Sequence, residues 1–415
     1  MRRKRAPSRV FGVGGRTPAD QSCRVSLAAA RALLEERFGH ARFRVHQLKV
    51  LGPLLAGRNV LAVLPTGAGK SLCYQIPALL GQGLTLVISP LISLMQDQVG
   101  ALRRRGIAAA YVNSQLDADQ RRIVLDAATS GRLALLYCAP ERLPSLTRRL
   151  AAARTPVALL AIDEAHCITE WGNEFRPVYR RLGVLRSQLG HPPTIALTGS
   201  ATPEARADIL KVLRISDAEV VVTSFDRPNL AFSVERVRHD RERFALIRAR
   251  VRDANGASLI YTPTRRLTEL VTRALIRTSV RAAPYHAGLS AGTRRRVLRA
   301  FLANHVRVIV ATSAFGMGID KPDVRRVLHW GPPPTIEAYY QEAGRGGRDG
   351  RASECVVLWR REDFAWGNIA PAMRRYVETR KCRRRVLLEY FGEKPSECSG
   401  CDVCGFNSEQ TVTAR

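Results

Sequence analysis

The feature that most constrains the fold is a glycine-rich loop at residues 65–71, Pro-Thr-Gly-Ala-Gly-Lys-Ser. The apolar run at 59–64 before it is typical of a short buried strand, and the residues after it are typical of a helix. Glycines in such a strand–loop–helix unit allow backbone N–H groups to curl around phosphates. The loop therefore predicts a parallel α/β sheet with a phosphate site.

Each residue of this loop has an expected role in binding a nucleotide. Lys70 should reach the β- and γ-phosphates, and the Ser71 hydroxyl should hold Mg²⁺. The residues expected to contact the nucleotide are Thr66, Gly67, Ala68, Gly69, Lys70 and Ser71. The alternative is a glycine-rich turn with an incidental lysine, and the strand–loop–helix context favours the phosphate site.

Two adjacent acids, Asp163 and Glu164, follow the apolar run Val157–Ile162. A carboxylate at the tip of a parallel strand faces the same crevice as the glycine-rich loop. Asp163 is expected to hold Mg²⁺, and Glu164 to orient and deprotonate an attacking water. The alternative is that the two acids are merely solvated at a strand end. Their occurrence together with the glycine-rich loop disfavours this interpretation.

Further strand-like runs alternate with helical stretches along most of the chain. Besides 59–64 and Val157–Ile162, they lie at 85–89, Thr194–Thr198, Ala257–Tyr261, 306–311 and 324–329, and Leu27–Phe38 is typical of an amphipathic helix. The pattern pauses over 215–255, which is charged and weakly periodic. We therefore predict an α/β fold with two parallel-sheet domains in tandem, followed by a small helical domain.

The expected domain limits follow from these shifts in pattern. Residues 1–25 form a basic flexible tail, 26–223 the first α/β domain, 224–358 the second, and 359–415 the helical, cysteine-rich domain. No apolar run approaches the roughly 18 residues of a membrane span. No signal-peptide pattern follows the basic start, so we expect no membrane association and a cytoplasmic protein.

The chain is strongly basic. Its 415 residues include 66 Lys and Arg against 36 Asp and Glu, a net charge of +30. A base-composition bias explains why only seven of the cations are Lys, but not why cations exceed anions. The excess is typical of a protein that binds nucleic acid.

Four of the nine cysteines cluster in a C-x15-C-x2-C-x2-C pattern of Cys382, Cys398, Cys401 and Cys404. Four thiolates at this spacing predict a closed structural Zn²⁺ site. Disulfides are the alternative, and a reducing cytosol disfavours them. The other cysteines are expected to be ordinary buried thiols.

The order of the motifs resembles the RecQ family of DNA helicases within helicase superfamily 2. The segments that carry the resemblance are 64–77, 89–95, 163–168, 225–229, 285–289, 314–319, 341–350 and 382–392 together with the later cysteines. They extend over roughly 26–405. The resemblance implies two RecA-like domains and a RecQ-type zinc-binding domain. It also implies an ATP-dependent helicase that moves 3′ to 5′ on single-stranded DNA and opens forked duplexes in DNA repair and recombination, in the bacterial cytosol or nucleoid.

The resemblance also assigns nucleotide contacts outside the glycine-rich loop. His40, Arg44 and Gln47 match the adenine-recognition motif, where Gln47 would pair with the adenine edge. The family usually has an aromatic residue, typically Tyr, at the place of His40. A plain helix-surface role is the alternative for Gln47.

Two arginines, Arg345 and Arg348, match the motif that faces the ATP site from the second domain. One or both would stabilise charge on the transferred phosphoryl group, with Arg348 favoured as the arginine finger. Gly318 and Asp320 match the loop that senses ATP across the cleft, and 198–202 match the motif that couples ATP to DNA.

The resemblance assigns DNA contacts to an aromatic-rich loop. Its residues are His166, Trp171, Phe175 and Arg176. Trp171 and Phe175 offer faces on which bases stack, and Arg176 offers a phosphate contact. A core position for the two aromatic side chains is the alternative, which their polar neighbours disfavour.

Longer family members carry winged-helix and HRDC modules, which do not follow here before Arg415. Because the winged helix grips duplex DNA, we expect its absence to affect duplex unwinding more than ATP hydrolysis. Two alternatives stay open: an RNA-directed motor or a DNA translocase that does not unwind, and a non-catalytic, zinc-stabilised DNA-binding protein.

Overall fold

The computed structural model describes residues 27–65, 67–81, 83–169, 177–252, 255–316, 319–365, 368–394 and 397–406. Within them lie two parallel sheets covered by helices, which we call lobe 1 and lobe 2, and a cysteine-containing module packed on lobe 2. The lobes confirm the predicted α/β class with two RecA-like domains. No helix of the described residues is long and apolar enough to cross a membrane.

Lobe 1 contains a seven-stranded sheet in the order β3-β4-β2-β5-β6-β1-β7, with every pair parallel. Its strands are β1 (Val60–Val63), β2 (Leu84–Ile88), β3 (Ala109–Val112), β4 (Leu135–Cys138), β5 (Val157–Ile162), β6 (Thr194–Thr198) and β7 (Glu219–Val222). The strands β1, β2, β4 and β6 are buried along their whole length. Such burial requires helices on both faces, because parallel strands connect through crossovers.

Eight helices cover this sheet. They are α1 (Leu27–Phe38), α2 (Val45–Leu55), α3 (Leu72–Leu80), α4 (Ile92–Arg104), α5 (Ala118–Thr129), α6 (Leu143–Ala152), α7 (Leu182–Gln188) and α8 (Pro203–Leu213). The helix α3 begins directly after the glycine-rich loop, so the loop connects β1 to a helix N-terminus. Such a terminus favours an anion through the helix dipole, although the N–H groups of Leu72, Cys73 and Tyr74 here donate to the carbonyls of residues 69, 70 and 71.

Lobe 2 has a second sheet, in the order β10-β11-β9-β12-β13-β8-β14-β15. Its strands are β8 (Leu230–Arg236), β9 (Ala257–Tyr261), β10 (Ala282–Tyr285), β11 (Val308–Ala311), β12 (Val324–Trp330), β13 (Ser353–Trp359), β14 (Gly400–Cys401) and β15 (Gly405–Phe406). Its helices are α9 (Asp240–Arg252), α10 (Arg265–Arg277), α11 (Ala291–Leu302) and α12 (Ile336–Ala343). Residues 223–229 form the linker between the two sheets.

The region 215–255, where the alternating pattern pauses in the sequence, contains β7, β8 and α9. The strand β8 pairs in parallel with β13 along its whole length. Its charged residues lie at the strand's end, where Glu235 and Arg250 form an ion pair. Burial against β13, rather than local apolar alternation, stabilises this strand.

The cysteine-containing module consists of α13 (Pro371–Glu378), α14 (Arg383–Tyr390) and the β14–β15 hairpin. The helices α13 and α14 agree with the predicted small helical module, and β14 in addition extends the sheet of lobe 2 by pairing Cys401 with Phe232. The module is therefore continuous with lobe 2. The domain limits drawn from the sequence remain a prediction.

Candidate nucleotide site between the lobes

A cavity of about 260 Å³ lies between the lobes at the carboxyl ends of their strands. Lobe 1 contributes Gly67, Gly69, Lys70, Ser71, Leu94, Gln98, Asp163, Glu164 and Gly199, and lobe 2 contributes Asp320, Gln341, Arg345 and Arg348. All five residues with predicted catalytic roles line this one cavity. Thr66 and Gly318, also predicted to contact ATP, lie outside the described residues.

The glycine-rich loop adopts a backbone that requires its glycines. Gly67 and Gly69 have φ of +83° and +76°, which L side chains rarely adopt. A Cβ on Gly69 would lie 2.6 Å from Gln47 Nε2. Lys70 Nζ donates to the Leu64 carbonyl at 3.2 Å, which holds the ammonium group at the mouth of the loop.

Three side chains of one segment hold the loop through its carbonyl oxygens. Arg44 Nη1 donates to the carbonyl of residue 67 at 2.7 Å, and Gln47 Nε2 donates to that of residue 69 at 3.1 Å. His46 Nε2 lies 2.8 Å from the carbonyl of residue 68. We call these three residues the α2 clamp. His46 was missed from the sequence, because nothing in its local pattern distinguishes it from a surface residue.

Gln47 is only 3% exposed, so it is not the plain helix-surface residue of the alternative interpretation. Its Oε1 accepts from the Arg44 backbone N–H at 2.8 Å while its Nε2 bonds the loop. Both ends of the amide are therefore engaged within the protein in this conformation. Pairing of Gln47 with adenine, with His40 exposed nearby, remains a prediction.

Asp163 lies directly after β5 and is 7% exposed. Burial, and secondly the charge of Glu164, raise the pKa of the Asp163 carboxyl from 3.8 to about 7. A carboxylate in so dry a place is stabilised by a cation, and Lys70 supplies only part of that charge. Asp163 with the Ser71 hydroxyl therefore fits an oxygen-ligand site for Mg²⁺.

Glu164 has φ +50° and ψ +51°, a left-handed conformation that costs a non-glycine residue about 1–3 kcal/mol. Such strain persists at functional sites, where the surrounding structure enforces it. The 3-10 turn Ala165–Ile168 follows immediately and turns the chain back under the sheet.

His166, for which the sequence predicts a DNA contact, is buried beside Glu164. It is 4% exposed, and its Nδ1 lies 2.9 Å from Thr198 Oγ1 and 3.4 Å from a carboxylate oxygen of Glu164. His166 therefore connects Glu164 to β6. Its contact with DNA remains a prediction.

Gln341 of lobe 2 joins this network from the other side of the cleft. Its Nε2 donates to Ser200 Oγ at 2.9 Å and lies 3.4 Å from His166 Nε2. Ser200 belongs to the segment 198–202 that resembles a coupling motif. The Gln341 amide therefore connects the two lobes beside Asp163 and Glu164.

Arg345 and Arg348 extend from the loop 344–348, which follows α12. Arg345 is 6% exposed, and its Nε and Nη1 have no hydrogen-bond partner among the described residues. Arg348 Nη1 donates to the Ile319 carbonyl at 2.7 Å and to Asp320 at 3.0 Å. Burial, and secondly the charge of Arg345, lower the pKa of Arg348. Two desolvated cations at a cavity wall fit an anionic ligand such as a triphosphate.

A second cleft of about 550 Å³ opens between the same two lobes. Its lining includes Arg142 and Gln96 of lobe 1 and Tyr285, Arg294 and Arg295 of lobe 2. Three arginines, polar groups and one aromatic ring suit a nucleic-acid strand, and the acids Asp97 and Glu141 share the lining. The sequence analysis missed these residues. Trp171, Phe175 and Arg176, which it singled out, lie outside the described residues.

The four clustered cysteines have sulfur atoms within 4.8 Å of one another. Cys382 and Cys401 are 3.9 Å apart, close to the roughly 3.8 Å that 2.3 Å Zn–S bonds at a tetrahedral ion imply. The donor set and the spacing fit a structural Zn²⁺ site, as predicted. Among the other cysteines, the four that the structure describes, Cys73, Cys138, Cys167 and Cys355, are buried thiols.

Two RecA-like lobes with a phosphate loop, a pair of acids and a pair of arginines facing one cavity define a P-loop motor of the helicase class. Three family models match the chain, one after another, in the order of lobe 1, lobe 2 and the cysteine-containing module. They are the DEAD/DEAH box helicase at residues 44–209, the helicase conserved C-terminal domain at 242–350, and RecQ zinc-binding at 368–405.

Sequence relatives identify one family within the helicase class. The chain is 42% identical to the ATP-dependent DNA helicase RecQ of Bacillus subtilis over 398 residues, covering 91% of this chain and 67% of that protein. It is 40% identical to the RecQ helicase of Haemophilus influenzae, covering 90% of this chain and 63% of that protein. The chain belongs to the RecQ family. It spans less than two thirds of the Haemophilus relative's length.

Solved structures with a similar fold are more distant in sequence. The helicase MrfA bound to DNA has a TM-score of 0.67 at 17% identity, covering 92% of this chain and 56% of that one. Lhr of Mycobacterium smegmatis, bound to single-stranded DNA and AMP-PNP, has a TM-score of 0.64 at 22% identity, covering 84% and 50%. At this identity they support the tandem RecA-like fold alone.

Proposed function

We propose that this chain is an ATP-dependent DNA helicase that couples ATP hydrolysis to 3′-to-5′ movement along single-stranded DNA and to duplex unwinding. The observation that carries the proposal is the shared cavity, where Lys70, Asp163 and Glu164 of lobe 1 face Arg345 and Arg348 of lobe 2. A site divided between two lobes links the state of the nucleotide to the distance between the lobes.

The roles in hydrolysis follow from the chemistry of each group. The N–H groups of the glycine-rich loop and Lys70 bind the phosphates of ATP, and Ser71 with Asp163 would hold Mg²⁺. The ion, when bound, neutralises phosphate charge. Glu164 orients the attacking water and accepts its proton. Arg345 and Arg348 stabilise the charge that develops on the transferred phosphoryl group, and Arg348 remains the favoured finger.

The second cleft supports DNA as the partner. Arg142 lies in lobe 1 and Arg294 and Arg295 lie in lobe 2, so a strand bound there would contact both lobes. Opening and closing of the nucleotide cavity would then change the spacing of contacts along the strand. The net charge of +30 favours binding through phosphates without sequence preference. Stacking on Trp171 and Phe175 and a phosphate contact from Arg176 remain part of this proposal.

The names of the RecQ relatives favour DNA over RNA as the substrate. The proposed partners are single-stranded and forked duplex DNA, and the proposed site of action is the bacterial cytosol at the nucleoid, in repair or recombination. The cysteine-containing module, with Zn²⁺ bound, stabilises lobe 2. The protein partners are unknown.

Strand separation by the purified protein with ATP and Mg²⁺ tests the proposal. We expect unwinding of a 3′-tailed DNA duplex and none of a 5′-tailed one, with DNA-stimulated ATP hydrolysis. Lys70→Ala and Glu164→Gln should bind DNA but lose ATP turnover. Turnover at the parent rate in either variant would reject the assigned chemistry.

Matched variants on one helix test the DNA cleft. Arg295 and Arg296 are both exposed on α11, but only Arg295 lines the cleft. Arg295→Ala should weaken single-stranded DNA binding and lower its salt dependence by about 0.7 per lost phosphate contact, whereas Arg296→Ala should not. Equal activity on matched RNA substrates would favour an RNA-directed motor. ATP hydrolysis without strand separation would favour a translocase, and DNA binding without hydrolysis a non-catalytic protein.

A further inference from the structure

The loop 344–348, which carries both cavity-facing arginines, is held from behind by the linker between the lobes. Arg227 Nη2 donates to the carbonyls of Gly346 and Gly347, each at 3.0 Å, and its Nη1 donates to that of Gly344 at 3.3 Å. One planar guanidinium therefore bonds three carbonyls of a five-residue loop. The fork of an arginine matches this task, whereas the single ammonium of a lysine does not.

A second linker residue bonds the same loop. Asn229 Nδ2 donates to the Gly347 carbonyl at 2.7 Å and to the Arg351 carbonyl at 2.8 Å. Gly347 has φ +50°, and a Cβ there would overlap the Asn229 amide. Linker side chains thus bond the carbonyls of Gly344, Gly346 and Gly347, which ties the loop to the linker. We call Arg227 and Asn229 the linker clamp.

The cysteine-containing module, which we also call the zinc module, holds the linker in turn. Arg384 of α14 is 2% exposed, pairs with Asp226, and donates to the carbonyls of Arg227 and Leu230 at 3.0 and 2.6 Å. These bonds fix the backbone on both sides of the linker clamp. Helix α14 is thus connected to the cavity through Arg384, the linker clamp and the loop 344–348.

Phe225 also connects the linker to the cysteine-containing module, through aromatic and acidic contacts. Phe225 stacks on Phe391 of the module at 4.6 Å, and its N–H donates to Glu393 at 2.7 Å. The Phe225 carbonyl accepts from Tyr340 of α12 at 2.8 Å. The linker is therefore packed between the module and the helix that leads into the loop 344–348.

We propose that Arg227 is a positioning residue for the arginine pair, and that Arg384 of the zinc module holds Arg227 in place. This inference deepens the proposed function and rests on it. Arg227 does not line the nucleotide cavity; it acts through the carbonyls of the loop. The zinc module thereby influences phosphoryl transfer without touching ATP.

Arg227→Lys tests the proposal, with Arg186→Lys as the matched control. Arg186 is a buried lobe 1 arginine that also bonds several groups, among them Pro192, Thr194 and Asn59, far from the loop 344–348. Both variants lose a multiply bonded guanidinium, so both should lower the melting temperature. Zinc content and the stoichiometry of ADP binding verify that each preparation is folded.

Two measurements separate positioning from general stability. Amide hydrogen exchange of the segment 341–352 should accelerate in Arg227→Lys and not in Arg186→Lys. The kcat of DNA-stimulated ATP hydrolysis should fall about a hundredfold in Arg227→Lys, because small misplacement of a catalytic group has effects of that size. The Kd for ADP should stay within about threefold, since the arginine pair acts on the transition state.

A double-mutant cycle tests whether Arg227 acts through the pair. In an Arg345→Ala/Arg348→Ala background, Arg227→Lys should lower kcat by less than about threefold, because the group it positions is gone. Equal losses in the two backgrounds, or unchanged exchange of 341–352, would overturn the proposal. Asn229→Ala is a second variant, in which we expect the same changes in hydrogen exchange and kcat, but smaller ones.

Arg384→Lys tests the contribution of the zinc module. It should accelerate exchange in 341–352 by less than Arg227→Lys does, and unchanged exchange there would refute this step. If the parent protein hydrolyses no ATP, the proposed function fails, while the exchange data still decide whether Arg227 and Arg384 position the loop.

Discussion

Two glycine-rich loops face each other across the nucleotide cavity, and side chains from another segment hold each of them by its carbonyl oxygens. The loop 65–71 is held by the α2 clamp, and the loop 344–348 by the linker clamp. The two clamps differ in what else holds them. The α2 clamp extends from exposed Arg44 to buried Gln47, whereas the half-buried linker clamp adjoins backbone that Arg384 of the zinc module bonds.

The difference teaches how the two loops can serve one reaction. The α2 clamp belongs to the segment predicted to bind adenine, so a nucleotide can compete for its side chains and release the loop 65–71. The linker clamp has no such competitor, so the loop 344–348 keeps one shape. One side of the cavity adapts to the ligand, and the other presents preorganised charge.

Removing the arginine pair should give the largest effect that this contrast predicts. Arg345→Ala and Arg348→Ala should each lower kcat, by about 10³–10⁵ for the arginine that acts as the finger. The affinity for ATP should change little, because preorganised charge acts mainly in the transition state. Single-turnover hydrolysis and equilibrium binding measure the two quantities. A loss of affinity equal to the loss in rate would make both loops binding elements and remove the contrast.

Removing the metal should affect the two loops unequally. Zinc contributes about 10–16 kcal/mol to the folding of such small units, so a zinc-selective chelator in excess Mg²⁺ should loosen the module and the linker clamp. Hydrogen exchange should rise about a hundredfold, the equivalent of 2.7 kcal/mol, in 341–352. Exchange in 64–75, next to the α2 clamp, serves as the internal control. Equal acceleration in both segments would show that the loops are not held independently.

Weakening the α2 clamp should mainly change ATP binding. Gln47→Ala removes the bond to the loop 65–71, and a bond of this kind contributes about 0.5–1.5 kcal/mol, or roughly two- to twelvefold. We expect a rise of that size in the KM for ATP and a smaller change in kcat. Lys49→Ala, an exposed residue of the same helix, is the control. A fall in kcat at constant KM would contradict the adaptive role.

The smallest expected effect concerns the bond between the lobes. Ser200→Ala removes the partner of Gln341 and should reduce the nucleotide-dependent change in DNA affinity by about two- to fivefold. DNA binding measured with and without a non-hydrolysable ATP analogue gives this change. Ser130→Ala, at the exposed end of α5, should leave it unaltered. An unaffected Ser200→Ala protein would locate the coupling of the lobes elsewhere.

The parts of the site that the sequence predicted are those carried by contiguous motifs. The loop at 65–71, the acids after β5 and the four cysteines each combine a local pattern with chemistry that requires it. The loop and the acids are brought together because strand ends and helix starts in a parallel sheet face one crevice. Their individual roles in catalysis and binding stay predictions until the variants above are measured.

The features that the sequence did not predict depend on contacts between distant segments. His46 differs from a surface histidine only because the loop 65–71 lies beside it. The inward turn of His166 depends on the strained Glu164 before it, which no composition pattern reveals. The strand β8 contains Ser233, Glu235 and Arg236, and it is stabilised by neighbours that are far away in the chain.

The position of β8 in its sheet has a consequence for biosynthesis. Both of its neighbours, β13 and β14, are translated much later than β8 itself, and β14 contains a zinc ligand. Lobe 1 can complete its sheet as soon as β7 leaves the ribosome. Lobe 2 keeps a bare strand edge until the cysteines emerge and bind metal, and a bare edge pairs readily with other chains. We therefore expect the nascent chain to be most prone to strand pairing with other chains before the β14–β15 hairpin forms beside β8.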